Sequence, residues 1–126
     1  CKIYIHDEPK QKITIGYDCM FSFNISIWPS DGHTIYDEKT KEVLNNVNGG
    51  ACIGSHVWLG RGVNILKNSR VPDNCVVGLN TVITKSFSEK GCIIAGQPGK
   101  IIKKGINWDR SNTYEYKKIL NMEKQG

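Results

Sequence analysis

Residues 53–88 divide into six hexads: IGSHVW (53–58), LGRGVN (59–64), ILKNSR (65–70), VPDNCV (71–76), VGLNTV (77–82) and ITKSFS (83–88). The first position of every hexad is aliphatic, in the order Ile53, Leu59, Ile65, Val71, Val77 and Ile83. The second position is mostly small or turn-forming, and the fifth is mostly small or β-branched. A fixed six-residue period therefore organises the middle of the chain.

A period of six matches neither of the usual secondary-structure patterns. An amphipathic helix repeats its apolar residues every three to four positions, and a half-buried strand repeats them every two. Short strands separated by tight turns do fit, with three hexads forming one triangular coil. The aliphatic residues would then point inward, and successive coils would lie about 4.8 Å apart, the spacing of hydrogen-bonded strands. The pattern predicts an all-β protein, a parallel β-helix; an ordinary β-sandwich with fortuitous spacing is the alternative.

A second tract with the same period precedes the first and is led by Ile15, Phe21 and Ile27. Ile15 and Ile53 are 38 residues apart, which is two more than a multiple of six. The mismatch falls within residues 31–50, which lack the column pattern and end in a Gly-Gly pair. Because long loops in compact domains are usually functional, we predict that this segment is a functional loop protruding from the coil.

The pattern changes again near the C-terminus. In residues 111–124 several apolar side chains recur near helical spacing, and Ser111 and Asn112 are suitable N-caps. We predict a short helix there that covers the open end of the coil. The predicted organisation is a β-helix domain over residues 1–108 and a helical tail over residues 109–126.

Length and charge limit the possible functions. The chain has 126 residues, enough for one domain with a modest core, and a net charge of +5. Basic residues exceed acidic ones from Lys100 onward, which suits a nucleic acid, a membrane surface or a phosphorylated cofactor. Aromatic residues do not alternate with these lysines as they do in a nucleic-acid groove, so we expect no nucleic-acid partner.

The five cysteines are odd in number and form no C-x-x-C pair. We interpret them as reduced thiols packed as small apolar side chains, which indicates a cytoplasmic protein. No apolar run in the sequence approaches the ~20 residues of a membrane span, and no signal peptide is evident. The chain begins at Cys1 rather than at a methionine, so we expect an N-terminal portion to be missing.

The tract from Ile53 to Lys104, together with IGYDCMFSFNISIWPSDGHTIYD upstream, resembles the hexapeptide-repeat acyltransferases. The repeats alone indicate the fold, whereas the G-Q-P-G-K turn at 96–100 and the D-G-H at 31–33 indicate the acyltransferase branch. The chain is most similar to the polysaccharide, maltose and galactoside O-acetyltransferases of that family. The resemblance implies a left-handed coil, a homotrimer, and active sites between neighbouring coils.

The resemblance also implies acetyl transfer from acetyl-CoA to a hydroxyl group, and this reaction needs a base for the hydroxyl proton. His33 matches the family's catalytic histidine, and an imidazole suits the role because its unperturbed pKa is ~6.5. Asp31 and Asp37 flank His33, and either carboxylate would be able to fix the imidazole tautomer. A backbone carbonyl would serve equally well, and both carboxylates would then be free to contact a sugar hydroxyl.

Trp58 matches a tryptophan that borders the catalytic cleft of related polysaccharide O-acetyltransferases; packing against the protruding loop is the alternative. Other residues match the family's groove for coenzyme A, from the thioester to the adenine and phosphates. They are Gly60, Arg61, Gly78, Leu79, Thr84, Lys85, Gly96, Pro98, Lys100, Lys103 and Lys104. The family usually has a small residue where Leu79 stands, so we expect this side chain to narrow the groove. Lys100, Lys103 and Lys104 would meet the phosphates of coenzyme A; the alternative is that they only form a solvated surface.

Three histidines, His6, His33 and His56, raise the alternative of a zinc site, since γ-class carbonic anhydrases share this fold. Their spacings of 27 and 23 residues lack the close H-x-x-x-x-H pair of that class. We therefore expect no metal, and we interpret His56 as a surface or cleft-lining residue.

The leading function is acetyl-CoA-dependent O-acetylation of a sugar hydroxyl, in the biosynthesis of a surface polysaccharide or glycolipid. An N-acyltransferase acting on an amino sugar is one alternative. A non-enzymatic β-helix scaffold is another, and it would leave His33 inert. The sequence names neither the carbohydrate acceptor nor the group that is acylated, and it does not choose the carboxylate that orients His33.

Overall fold

The computed structural model describes residues 1–6 and 9–125. Within these residues the chain forms twelve short strands and one helix. The strands are β1 (Lys2–Ile3), β2 (Ile13–Ile15), β3 (Met20–Phe21), β4 (Ser26–Ile27), β5 (Ala51–Ile53), β6 (Trp58–Leu59), β7 (Asn64–Ile65), β8 (Ser69–Val71), β9 (Val76–Val77), β10 (Val82–Ile83), β11 (Ile93–Gly96) and β12 (Gly99–Lys103), and the helix is α1 (Thr113–Gln125).

The strands form three sheets, which are the three faces of a triangular coil. Sheet A has the order β1-β4-β7-β10, sheet B the order β2-β5-β8, and sheet C the order β12-β11-β9-β6-β3. The chain passes from sheet B to sheet C to sheet A in each coil, and neighbouring coils pair in parallel. In the described chain, only the β11–β12 pair is antiparallel. The prediction of an all-β protein with parallel strands is therefore confirmed.

The register of the strands shows where the coils differ in length. Ile53 pairs with Val71, 18 residues later, whereas Ile15 pairs with Ile53, 38 residues later. The additional twenty residues lie between β4 and β5, where residues 28–50 contain one isolated bridge, Tyr36 to Val43. We call residues 28–50 the long loop.

The six aliphatic residues at the first hexad position form the core, as the period predicted. Each of them is at most 1% exposed, and Val57, Val63 and Thr81 at the fifth position are fully buried beside them. Ile15 is an exception, with 41% of its surface exposed. The reason is that β2 is the edge strand of sheet B, so no further coil of the described chain covers it.

The fourth position of the first five hexads takes a left-handed backbone conformation. Its φ angles are 55° at His56, 76° at Gly62, 58° at Asn68, 62° at Asn74 and 57° at Asn80. This region penalises most side chains and is best tolerated by glycine and asparagine, which explains why they recur in this column. His56 is the departure from that rule.

After β12 the chain turns back along the corner between sheets B and C. The Ile106 N–H donates to the Gly91 carbonyl at 2.8 Å, and further on Arg110 reaches Asp18 of the first coil. We call residues 104–112 the C-terminal strap. It ends at Asn112, whose side-chain oxygen accepts from the Glu115 N–H at 2.9 Å and so caps α1.

The prediction that the C-terminal helix covers the open end of the coil is wrong. The strap carries the chain away from that end, and α1 begins beside Trp58 of β6. Of the α1 side chains described, only Leu120 is half-buried, and the others are exposed. The end of sheet C is instead closed by β12, whose Ile101 packs against the core.

Candidate active site

His33 lies in the long loop, where its exposed side chain borders a cavity of about 200 Å³. Ser30 and Val47, both nearly fully buried, anchor the two ends of this part of the loop to the coil. The Gly32 N–H donates to the Ser30 hydroxyl at 3.2 Å. The histidine is therefore presented to solvent from a loop whose base is fixed.

Asn45 holds the two sides of the long loop together. Its amide nitrogen donates to the Asp31 carboxylate at 2.8 Å and to the His33 carbonyl at 2.9 Å. Its amide oxygen accepts from the Ile35 N–H at 2.8 Å. The sequence analysis missed Asn45, because these contacts span ten to fourteen residues of a segment that has no repeat.

The two carboxylates near His33 have other partners. Asp31 accepts from Asn45 and pairs with Lys67 at 2.9 Å. Burial raises the pKa of Asp31, but these two contacts outweigh it and hold that pKa below its ordinary value. Asp37 accepts from the N–H groups of Lys39 and Thr40, closing a turn. Among the described residues, neither carboxylate is hydrogen-bonded to the His33 imidazole.

Trp58 lies on sheet C and is 38% exposed. It borders two cavities, neither of which includes His33. Within a single chain the structure therefore does not bring His33 and Trp58 into one cavity.

Six of the residues predicted to bind coenzyme A lie along one corner, between sheets C and A. They are Gly60, Arg61, Gly78, Leu79, Gly96 and Pro98. Hydrogen bonds join the turns at this corner. The backbone N–H of Gly62 donates to the Phe23 carbonyl, and that of Asn80 donates to the Arg61 carbonyl. The side-chain amide of Gln97 donates to the Asn80 carbonyl. The structure thus assembles these residues into one continuous edge, which we call corner C/A.

Corner C/A has features that suit a pantetheine arm. Leu79 is 65% exposed, and its N–H makes no hydrogen bond to any described residue. A free backbone N–H is the group expected there to meet an amide of the cofactor. Gly60 allows close packing at this corner, because an added Cβ would lie only 3.0 Å from the Leu79 nitrogen.

The remaining predicted cofactor residues are not on corner C/A. Thr84 and Lys85 follow β10 at the corner between sheets A and B, where the Lys85 ammonium lies 5.2 Å from the Phe87 ring centre. Lys100 lies opposite Ala95 and Lys103 opposite Ile93 on β12, and a bulge between these pairs leaves both lysines on the outer face of the sheet. Lys104 follows the strand. All three lysines are exposed.

A second polar group, which the sequence analysis did not predict, joins the strap to the first two coils. The two His56 ring nitrogens lie 2.7 Å from the Asp18 carboxylate and 3.0 Å from the Trp108 carbonyl. The His56 ring also stacks on Trp108 at 4.0 Å. Arg110 donates to Asp18 at 2.6 Å and to the Asp18 and Cys19 carbonyls. We call this group the His56 clasp.

The clasp favours the protonated form of His56. A carboxylate and a carbonyl both accept hydrogen bonds, so both ring nitrogens can donate only when the imidazole carries two protons. The hydrogen bond to Trp108 raises the pKa of His56, partial burial opposes the rise, and Asp18 adds to it. The bonds from His56 and then Arg110 lower the pKa of Asp18.

A pH-dependent contribution to stability follows from these opposite shifts. Because the pKa of His56 is raised on folding, its contribution is complete below about pH 6.5, the unfolded value, and is lost as pH rises through the folded pKa. We expect wild type to lose part of its melting-temperature advantage over His56→Asn between pH 6 and the alkaline range. Asparagine suits the left-handed backbone but cannot supply two N–H donors from a ring. The measurement is the melting temperature of both proteins across that range of pH. If the difference in melting temperature does not change with pH, the clasp makes no pH-dependent contribution to stability.

Sequence comparison identifies similar proteins. The chain is 48% identical over 101 residues to the polysialic acid O-acetyltransferase of Neisseria meningitidis, covering 80% of this chain and 46% of that protein. It is 39% identical over 106 residues to the polysialic acid O-acetyltransferase of Escherichia coli O1:K1, covering 84% and 34% respectively. The solved polysialic acid O-acetyltransferase OatWY superimposes with a TM-score of 0.70 at 43% identity, covering 86% of this chain and 53% of that one. This coil is similar to the hexapeptide-repeat acetyltransferases.

The similarity rests on those relatives and on the repeat. No family model matches the chain. The chain spans between about a third and a half of the length of these two curated acetyltransferases. The resemblance drawn from the G-Q-P-G-K turn and the D-G-H is thereby confirmed.

Two further observations concern metal and membrane. The described residues of the coil contain no group of three or more His, Cys, Asp or Glu side chains placed to hold a metal ion. His6 packs against Gly32, where an added Cβ would lie 2.8 Å from its ring nitrogen, and His56 is in the clasp. No helix in the described chain is long and apolar enough to cross a bilayer.

Proposed function

We propose that the chain catalyses acetyl transfer from acetyl-CoA to a sugar hydroxyl of a surface polysaccharide or glycolipid precursor. The observation that carries this proposal is the 48% identity over 101 residues to a polysialic acid O-acetyltransferase. The exposed His33 beside its cavity supplies the base that such a transfer needs.

The proposed reaction uses the His33 imidazole twice. It first takes the proton of the sugar hydroxyl while the hydroxyl oxygen attacks the thioester carbonyl carbon. The tetrahedral intermediate carries a negative oxygen, toward which the Trp58 indole N–H would donate in an assembled site. The carbon–sulfur bond then breaks, and the imidazolium gives its proton to the departing sulfur. The products are an O-acetylated sugar and coenzyme A with a free thiol.

We propose that coenzyme A lies along corner C/A, with the Leu79 N–H meeting the pantetheine arm. The support is that this corner is continuous, exposed and carries a free backbone donor. Arg61 and Gly60 would lie nearer the thioester, and the Gly96–Pro98 turn nearer the adenine. Asp31 is proposed to shape the long loop through Asn45 and Lys67.

A homotrimer is part of this proposal. His33 and Trp58 border different cavities in one chain, so a second copy would be needed to unite them. Phe23 is also 78% exposed, which suits contact with a neighbour. We expect light scattering at micromolar concentration to give the mass of three chains. A monomer with full activity would contradict this expectation.

We further propose a left-handed coil, a cytoplasmic location, and activity that needs no metal. The handedness follows from the family resemblance. All five cysteines are free thiols in the structure, which suits a reducing compartment.

The proposed function is tested by incubating the chain with acetyl-CoA and a panel of acceptors, and by measuring released thiol and acetylated product. The panel contains polysialic acid, a galactoside, maltose and an amino sugar. Acetylation of a hydroxyl on any sugar supports the proposal. Transfer only to the amine would establish the N-acyltransferase alternative. Absence of both transfer and acyl-CoA binding would favour the scaffold.

Lys100 is expected to bind the 3′-phosphate of coenzyme A, because it lies beside the turn that ends corner C/A. Wild type should then bind coenzyme A more tightly than dephospho-coenzyme A by roughly tenfold to 150-fold, since a charge-assisted hydrogen bond contributes ~1.5–3 kcal/mol. Lys100→Met should remove most of that preference. Lys103→Met is the matched control, because Lys103 lies at the end of β12 that is farther from this turn. Titration of both cofactors into each variant is the measurement; equal losses for both lysines would contradict a specific contact.

A further inference from the structure

A cavity of about 910 Å³ lies between β6 and the start of α1, away from His33. Its walls include the rings of Trp58, Trp108 and Tyr116, together with the polar side chains of Asn107, Thr113 and Lys117. We call this cavity the aromatic groove. Its volume lies within the range of ligand sites, about 300–1,000 Å³.

The walls of the aromatic groove are fixed by contacts outside it. The Trp108 ring stacks on His56 at 4.0 Å, and its indole N–H donates to the His56 carbonyl at 2.7 Å. Trp58 lies 6.0 Å from Trp108, with their planes inclined at 51°. The Asn112 cap fixes the first turn of α1, which carries Tyr116. A ligand therefore meets walls that are already ordered, which lowers the entropic cost of binding.

The chemistry of the walls selects a class of ligand. An acyl chain would leave the amide and hydroxyl groups of the groove without partners. A nucleic acid needs several cations, and the groove contains Lys117 together with the acidic Asp109. A sugar ring has an apolar C–H face that packs on aromatic rings and a rim of hydroxyl groups that hydrogen-bond. Sugar units match both parts of the lining.

One cation in the lining, Lys117, can pair with a sugar that carries a carboxylate. Asp109 is already engaged by the backbone N–H of Ser111 at 3.0 Å and by its hydroxyl. Lys117 takes part in none of the ion pairs formed within the described residues. Its ammonium is therefore available to a negative group in the groove.

We infer that the aromatic groove binds the sugar units of an acidic glycan chain that neighbour the unit being acetylated. The inference rests on the proposed function, because Trp58 would belong to both the acetylation site and the groove. Tyr116 and Lys117 would be contacts to the chain that a single sugar at the acetylation site does not reach.

The test compares two sialic acid oligomers, one short and one long, as acceptors with acetyl-CoA. Tyr116→Ala should raise KM for the long oligomer about twofold to tenfold, since an aromatic contact contributes ~0.5–1.5 kcal/mol. It should leave kcat and the KM of the short oligomer unchanged. Tyr114→Ala is the matched control: Tyr114 is 68% exposed on the same helix and does not line the groove. Lys117→Gln, with Lys118→Gln as control, should weaken the salt dependence of KM for the long oligomer.

Several results would overturn the groove. If Tyr116→Ala raises KM equally for both oligomers, the groove does not bind the longer chain. The same conclusion holds if Tyr114→Ala raises KM for the long oligomer as much as Tyr116→Ala does. A change in oligomeric mass in Tyr116→Ala would show that the groove is a contact between copies of the chain. Binding of the long oligomer is also titrated by NMR without acetyl-CoA. If no glycan is acetylated, the proposed function fails, and the binding titration then decides on the groove alone. Weaker binding of the long oligomer to Tyr116→Ala than to wild type supports glycan binding in the groove. Unchanged binding contradicts it.

Discussion

His33→Ala is expected to lower kcat by a factor of about 10² to 10⁴, the usual contribution of a general base. The loop should keep its shape in this variant, because Asn45 bonds the backbone carbonyl of His33 and not its ring. Coenzyme A should bind as before, since corner C/A is built from other residues. Steady-state kinetics and a titration with coenzyme A separate the two effects. Full activity in His33→Ala would remove His33 from the mechanism.

Asp31→Asn is the informative comparison for that loss. The carboxylate meets Asn45 and Lys67, and the amide preserves its shape while removing its charge. We therefore expect a much smaller loss of kcat than in His33→Ala. A loss of the same size would show that Asp31 stabilises the imidazolium, as one of the alternatives from the sequence requires.

Leu59→Ala is expected to lower the free energy of unfolding by about 2–5 kcal/mol. Leu59 is fully buried on β6, paired between Phe21 and Val77 of the adjacent coils. Hydrogen bonds between strands fix the spacing of the coils, so the coils cannot close the cavity that the substitution leaves. Denaturant unfolding at a fixed protein concentration measures the loss.

Leu79→Ala provides the matched control for Leu59→Ala, because the same atoms are removed from a side chain that is 65% exposed. Its effect on stability should stay within about 0.5 kcal/mol. The smaller side chain should also widen corner C/A and leave acetyl-CoA binding intact or improved. A stability loss equal to that of Leu59→Ala would contradict the expectation and show that the Leu79 side chain is buried between copies.

The repeat predicted the coil well because a solenoid is built from contacts between residues one coil apart. A column of Ile, Leu and Val at every sixth position specifies which side chains face inward, and the burial of Ile65 and Val77 follows from it. The same logic failed at Ile15, since the period says nothing about which strand lies at an edge. The repeat also located the long loop, because its twenty additional residues are not a multiple of six and therefore shift the phase.

The six-residue repeat did not predict the course of the C-terminal strap. It also did not predict which residues meet around His33 and in the His56 clasp. Trp108 meets His56 across 52 residues and Arg110 meets Asp18 across 92, and no periodic signal connects such pairs. One clue was available: His56 occupies a left-handed position where glycine and asparagine are favoured. Likewise, Asn45 determines the loop around His33 through contacts inside an aperiodic segment.

The C-terminal strap changes how the coil should come apart. A solenoid whose coils touch only their neighbours can fray from either end, one coil at a time. Here Arg110, near the end of the chain, is bonded to the turn at Asp18 in the first coil. The first coil therefore cannot open without releasing the strap, and the strap cannot leave without exposing the face of Trp108. We therefore expect the first coil and the C-terminal strap to unfold together, in one cooperative step.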